Sequence, residues 1–270
     1  MAAGFLLAGN LASLWFLLLP VLVVGVAWVA LAGYTDRLVS QGRYNLALRL
    51  VPILAPTGAG RSYHRGNVLL QAGRYDEAER SLRKIADHPA GLRVDTALAL
   101  EDLGNVLMET GRFEEAQRCF REAAAIFPGR SPSQTGMAEL LLRQGIFPQN
   151  ALRHAETALH LFQAGGVERI GDPPRLGAIL ATKAWALAAC GHGKEALETI
   201  DTALKTPART TKGPLAQVHY KAGMSLLALS DNRAAEGHLA RGAKLDPEGR
   251  WGRLCACALE RQSACGAIGD

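Results

Sequence analysis

Residues 66–82 read GNVLLQAGRYDEAERSL, and residues 104–120 read GNVLMETGRFEEAQRCF. Two near-copies in one chain solve the same packing problem twice, and their spacing says which. Counted from Gly104, Leu107 stands three residues on, Gly111 seven, Phe113 nine, Ala116 twelve, Phe120 sixteen, Ala123 nineteen and Pro128 twenty-four. Gly66, Leu69, Gly73, Tyr75, Ala78, Leu82 and Ile85 keep the same offsets, with Pro89 one residue early. Leu100 and Leu103 precede the second copy at helical spacing. Small residues such as Gly66, Ala78, Gly104 and Ala116 let two antiparallel helices approach closely, and the larger ones fill the gap. Gly73 and Gly111 fall between the helices, where a left-handed turn costs least without a Cβ, and Pro128 stops the second helix.

Composition agrees with helices. Aromatics are only 6% of the chain, and 49% hydrophobic with 20% charged residues suffices for a core. Ala, Leu and Gly dominate, while β-branched runs are scarce beyond the N-terminus.

The offsets resemble the tetratricopeptide repeat, a 34-residue helix-turn-helix pattern. One such pair leaves an apolar face open, so further copies are expected. Residues 131–164 carry Leu141, Gly145, Phe147, Ala151, Ala155 and Ala158, with one residue inserted in the turn. Residues 177–210 carry Ala184, Leu187, Gly191, Ala196, Ile200 and Ala203, and residues 216–249 carry Gly223, Leu226, Ala235, Leu239 and Pro247, with Ser230 at the turn. Five repeats follow, at 59–92, 97–130, 131–164, 177–210 and 216–249. A degenerate unit over 28–58 (Gly42, Tyr44, Ala47, Val51) precedes them, and residues 250–270 form a capping helix and tail in which Trp251 packs on the last repeat. The expected fold is all-α, a right-handed superhelical α-solenoid preceded by one N-terminal transmembrane helix.

That helix is expected within residues 1–33. No Asp, Glu, Lys, Arg or His occurs from Met1 to Thr35, and 11–33 is long enough for a single bilayer span. A signal peptide cleaved after Ala32 is the alternative. Against it stand the missing basic n-region and a run longer than the ~7–15 residues of a signal peptide's apolar core. Arg37, Arg43 and Arg49 follow the run and no basic residue precedes it, so the positive-inside rule puts the array on the cytoplasmic side of an inner, single-pass membrane anchor. Cleavage would make it periplasmic. Five cysteines without a regular framework read as reduced thiols.

No motif for an enzyme, a phosphate loop or a dinucleotide appears, and none is expected to act here. The net charge of +5 comes from bases scattered among acids, which argues against nucleic-acid binding. His154 and His160 are six apart, off one helical face. Cys255, Cys257 and Cys265 leave a metal or thiol-redox role as a remote alternative, since residues two apart on a helix point away from each other. Neither cofactor nor small-molecule substrate is expected.

The resemblance implies a partner protein or peptide in a concave groove lined by the first helix of each pair. The positions there that do not face the partner helix include Tyr63, His64, Asn67, Glu101, Asp102, Asn105, Met108 and Glu139, with Leu70, Trp185, Tyr220 and Met224 as further candidates; Trp185 and Tyr220 read more readily as packing residues. Asn67 and Asn105 recur one residue after the defining glycine. Tyr63 stands where the carboxylate clamp of some chaperone-binding repeats has a lysine, and Glu101 and Asp102 make the first half of the groove acidic, which suits a basic or neutral segment. Anchored arrays of this kind serve envelope assembly, secretion or pilus biogenesis, by family analogy alone.

Overall fold

The first helix of each repeat is sandwiched and the second is not, and the sequence shows why. In α5 (Arg93–Glu109), buried residues occur all round the helix, among them Ala97, Leu100, Leu103, Val106 and Met108. In α6 (Phe113–Ile126) only Ala116, Phe120 and Ala123 are buried, on one stripe, and the remainder is charged or polar. A helix apolar all round must be covered on both sides, whereas a striped helix is an outer wall. The same contrast recurs along the chain.

The computed structural model describes residues 34–54, 58–87, 93–164, 173–206 and 212–266, which form thirteen α-helices and no strand. Helix α1 spans 34–40 and pairs with α2 (Tyr44–Leu54). Then come α3 (Gly58–Gln71) with α4 (Tyr75–Ala86), α5 with α6, and α7 (Ser131–Gln144) with α8 (Pro148–Gln163). The last pairs are α9 (Pro173–Ala189) with α10 (Gly193–Lys205), and α11 (Lys212–Ala228) with α12 (Asn232–Leu245); α13 (Arg250–Gly266) closes the stack. The chain is thus the all-helical solenoid expected. The anchor expected over 1–33 lies outside the described residues, and no described helix is long and apolar enough to cross a membrane.

Glycines serve two functions in these pairs. At the turn, Gly42, Gly73, Gly111, Gly145 and Gly191 all have φ between 64° and 82°. In the last pair Ser230 takes that conformation at φ 62°, and the inserted residue of the α7–α8 turn puts Phe147 at φ 49°. Within the helices, a Cβ on Gly104 would lie 2.7 Å from the Phe120 ring, one on Gly136 2.4 Å from the same ring, and ones on Gly66 and Gly223 2.6 and 2.7 Å from Leu82 and Leu239. Leu82, Phe120 and Leu239 of the second helices therefore occupy space that first-helix glycines vacate.

The stack curls until its end meets its beginning. The Tyr44 hydroxyl on α2 donates to Asp246 after α12 at 2.9 Å, and the Arg253 guanidinium on α13 donates to the Ala72 carbonyl at the end of α3. The inner faces of the odd-numbered helices consequently enclose a lumen.

Candidate functional site

The lumen is divided across its middle by charges that the fold has desolvated. Glu109 of α5 and Arg143 of α7 form a double hydrogen bond at 2.9 and 3.0 Å, and Arg143 also reaches Glu139 at 2.7 Å. Lys221 of α11 lies 3.0 Å from Glu139 and donates to Thr182 at 2.7 Å. Arg250, in the first turn of α13, donates to Glu109 at 2.6 Å. All five side chains are almost fully buried. Trp251 completes the partition, its ring 4.3 Å beneath the Arg250 guanidinium and 5.8 Å from Tyr220. Burial works against ionisation of Glu139 and Glu109, yet the adjoining bases, Lys221 first for Glu139 and Arg250 first for Glu109, hold both below the usual carboxylate range. Burial pulls Lys221 down, and Glu139 opposes it.

On one side of the partition lies a polar cavity of about 450 Å³, on the other a cavity of about 1110 Å³ lined more by Met108, Leu142, Trp185, Met224 and Leu254. Tyr63, Asn67, Glu101, Asp102, Asn105 and Glu139 all line the polar one. Six of the eight residues named from sequence are thus brought together. Met108 is buried on the far side of the partition, and His64 lies edge-on to Tyr63, its ring centroid 5.4 Å away, lining neither cavity. Trp185 and Tyr220 pack edge to face in the core, 6.2 Å apart, and Leu70 is fully buried.

The repeated asparagines differ in state. Asn67 donates to Asp102 across 2.8 Å, so its amide is engaged with the neighbouring repeat, whereas Asn105 makes no such bond among the described residues. The acidic character expected of this half is also corrected. Glu101 is paired with Arg130 at 3.0 Å and accepts from Ser133 at 2.8 Å, Glu139 is paired as above, and Arg175, Lys221 and Arg250 line the same cavity. Arg130 ahead of α7 and bases from α9, α11 and α13 offset the acids of α5 and α7, and all but Arg130 come from outside the repeat that carries Glu101 and Asp102. Asp102 differs: burial and the Glu101 charge push its carboxyl up to about 6, against the pull of the Asn67 hydrogen bond.

Sequence reading missed Arg130, Arg143, Lys221, Arg250 and Glu109. One signal was available, since Glu109 and Arg143 carry opposite charges one repeat length, 34 residues, apart. Of the C-terminal cysteines, Cys255 is buried with its thiol pushed up to about 12, chiefly by burial, Cys257 is exposed, and the Cys265 side chain lies outside what is described. No group of three potential metal ligands occurs among the described residues.

Residues 59–129 and 101–166 match two tetratricopeptide-repeat family models, so the stretch from 59 to 166 is built of tetratricopeptide repeats. No curated protein matches the chain significantly. Among solved structures, the APC/C hetero-tetramer Cut9-Hcn1 is similar with a TM-score of 0.59 at 16% identity, covering 87% of this chain and 46% of that one. The thermophilic tetratricopeptide protein TTC0263 of Thermus thermophilus is similar with a TM-score of 0.52 at 17% identity, covering 76% and 99%. At such identities the likeness is one of fold. Tetratricopeptide repeats are interaction scaffolds, typically without catalytic activity.

Proposed function

We propose that this chain is a non-catalytic adaptor that docks a segment of a partner protein in the polar half of its lumen, against Tyr63, Asn67, Asp102 and Asn105. The observation that carries this reading is the cavity itself: polar side chains from α3, α5, α7 and α11 converge on about 450 Å³ of open space. The repeats are those at 59–92, 97–130, 131–164, 177–210 and 216–249, with a degenerate unit at 28–58 and a cap from 250. Residues 1–33 serve as a single-pass anchor in the inner membrane with the array on the cytoplasmic side, and the alternative is a periplasmic chain cleaved after Ala32. Docking beside a membrane suits envelope assembly, secretion or pilus biogenesis.

The test is affinity capture with the full-length chain in mild detergent. Partners that co-purify with the wild type and are lost from Asn105→Ala support the lumen as the docking site, and identical capture by both rejects it. Topology reporters fused after Gly33 and after Asp270 decide the anchor and its orientation, and a mature N-terminus at Gly33 rejects the anchor.

A further inference from the structure

Within the polar cavity, one acid lacks the counter-charge that its neighbours have. Glu101 holds Arg130 and Glu139 holds Lys221 and Arg143, each at 3.0 Å or less, but among the described residues the polar side chain in contact with Asp102 is the neutral amide of Asn67. Arg130 and Arg250 act on Asp102 only at a distance, and Glu101 repels it. The carboxylate is partly buried in the cavity wall, with the Tyr63 ring and the amides of Asn105 and Gln217 around the same space. Leaving a desolvated carboxylate without a cation destabilises a fold unless something supplies the charge. An aromatic face beside a carboxylate is also a favourable seat for an ammonium or guanidinium group.

We infer that Asp102 is the anchor of a cation site, and that it receives the lysine or arginine side chain of the docked partner segment, flanked by Tyr63 and hydrogen-bonded by Asn105. This rests on the docking reading above and names the chemistry of its ligand. The partition closes the far end of the cavity, so the cationic head enters from the open mouth as a side chain and not as part of a threaded strand.

The probes are Nα-acetyl-lysine methylamide and Nα-acetyl-arginine methylamide, titrated into the full-length chain by calorimetry and ligand-observed NMR, with the norleucine analogue as the uncharged control and spermidine as a free polyamine. Wild type should bind both cationic probes at least ~10-fold more tightly than the norleucine analogue. Because the carboxyl titrates near pH 6, affinity should fall about tenfold between pH 8 and pH 5. Asp102→Asn should lose both the head-group preference and the pH dependence, while Asp102→Glu keeps the preference. Far-UV circular dichroism checks that each variant is folded, and the wild-type pH series needs no variant. Equal binding of the norleucine analogue, a flat pH profile or undetectable binding of both cationic probes overturns the site, and tighter binding of spermidine overturns the peptide source. If the probes fail while partner capture is still lost from Asn105→Ala, the cation site falls and the docking reading stands.

Discussion

Arg250 and Glu109 stand 141 residues apart in the chain and 2.6 Å apart in the fold. The pair ties the capping helix to the second full repeat across the lumen, and both side chains are almost wholly buried. Glu109 retains Arg143 when Arg250 is removed, so Arg250→Ala should cost about 3 kcal/mol, at the low end of the range for breaking a buried ion pair. Urea denaturation measures the loss. Hydrogen exchange should show α13 opening more readily than α5; unchanged protection of α13 would mean that the contact does not hold the cap.

Gly104 and Phe120 test the packing logic of the repeats. A methyl on Gly104 would sit 2.7 Å from the Phe120 ring, which also fills the space beside Gly136. Gly104→Ala should therefore destabilise by ~1–3 kcal/mol through overpacking, despite the better helix propensity of alanine. In a Phe120→Leu background the same substitution should cost less. A double-mutant cycle reads this coupling, and additivity within about 0.3–0.5 kcal/mol would disprove it.

Ser230 occupies a left-handed turn that glycine occupies in the five preceding pairs. Ser230→Gly should stabilise the array by about 0.5–1 kcal/mol, the relief of backbone strain exceeding the added unfolded-state entropy. Gly191→Ser, the reverse change one pair earlier, should destabilise by a similar amount. Thermal denaturation of the two variants gives shifts of opposite sign if the argument holds.

Asp102 and the histidine pair give stability opposite pH trends. The Asp102 pKa of about 6 lies above its unfolded value, so its ionisation carries a stability penalty that is absent below about pH 4 and complete above about pH 6. Asp102→Asn should accordingly stabilise at pH 7.5 by ~1–3 kcal/mol and be near neutral at pH 4. A gain over wild type no larger at pH 7.5 than at pH 4 would contradict the shift.

His219 on α11 and His238 on α12 place their Nδ1 atoms 3.1 Å apart, with Arg241 close to both and Cys255 of α13 on the adjoining side of His219's helix. Burial, the facing ring and Arg241 bring His219 down to about 4. Its folded pKa lies below the unfolded value, so the unfolded chain binds the proton first. This contribution is present in full above about pH 6.5 and lost as pH falls toward 4, reaching about 3 kcal/mol. The stability difference between wild type and His219→Gln should shrink across that window, and parallel pH curves would exclude the effect.

Much of this architecture can be read from residues 66–82 and 104–120 alone, because a helix pair is decided over a few turns. The offsets of Gly73 and Gly111 specify a left-handed turn, and Gly66 opposite Leu82 specifies a close approach, both within one repeat. The inner positions were legible too: Asn67, Asp102 and Asn105 share one cavity because the repeat sets which face of its first helix points inward. Their states were not legible. That Asn67 is spent on Asp102 and that no described base pairs with Asp102 depend on contacts between repeats, and Arg130 reaches Glu101 from the far end of the same repeat, 29 residues on.

By itself the sequence determined the local unit and its repetition, since backbone sterics at glycine and side-chain volumes across one helix pair act over short separations. Only the tertiary structure decided the rest. The small rotation from each pair to the next accumulates until Tyr44 meets Asp246 and Arg250 meets Glu109, and no single repeat encodes that sum. The accumulated curl closes the lumen, buries the charges that partition it, and leaves the Asp102 carboxylate facing open space.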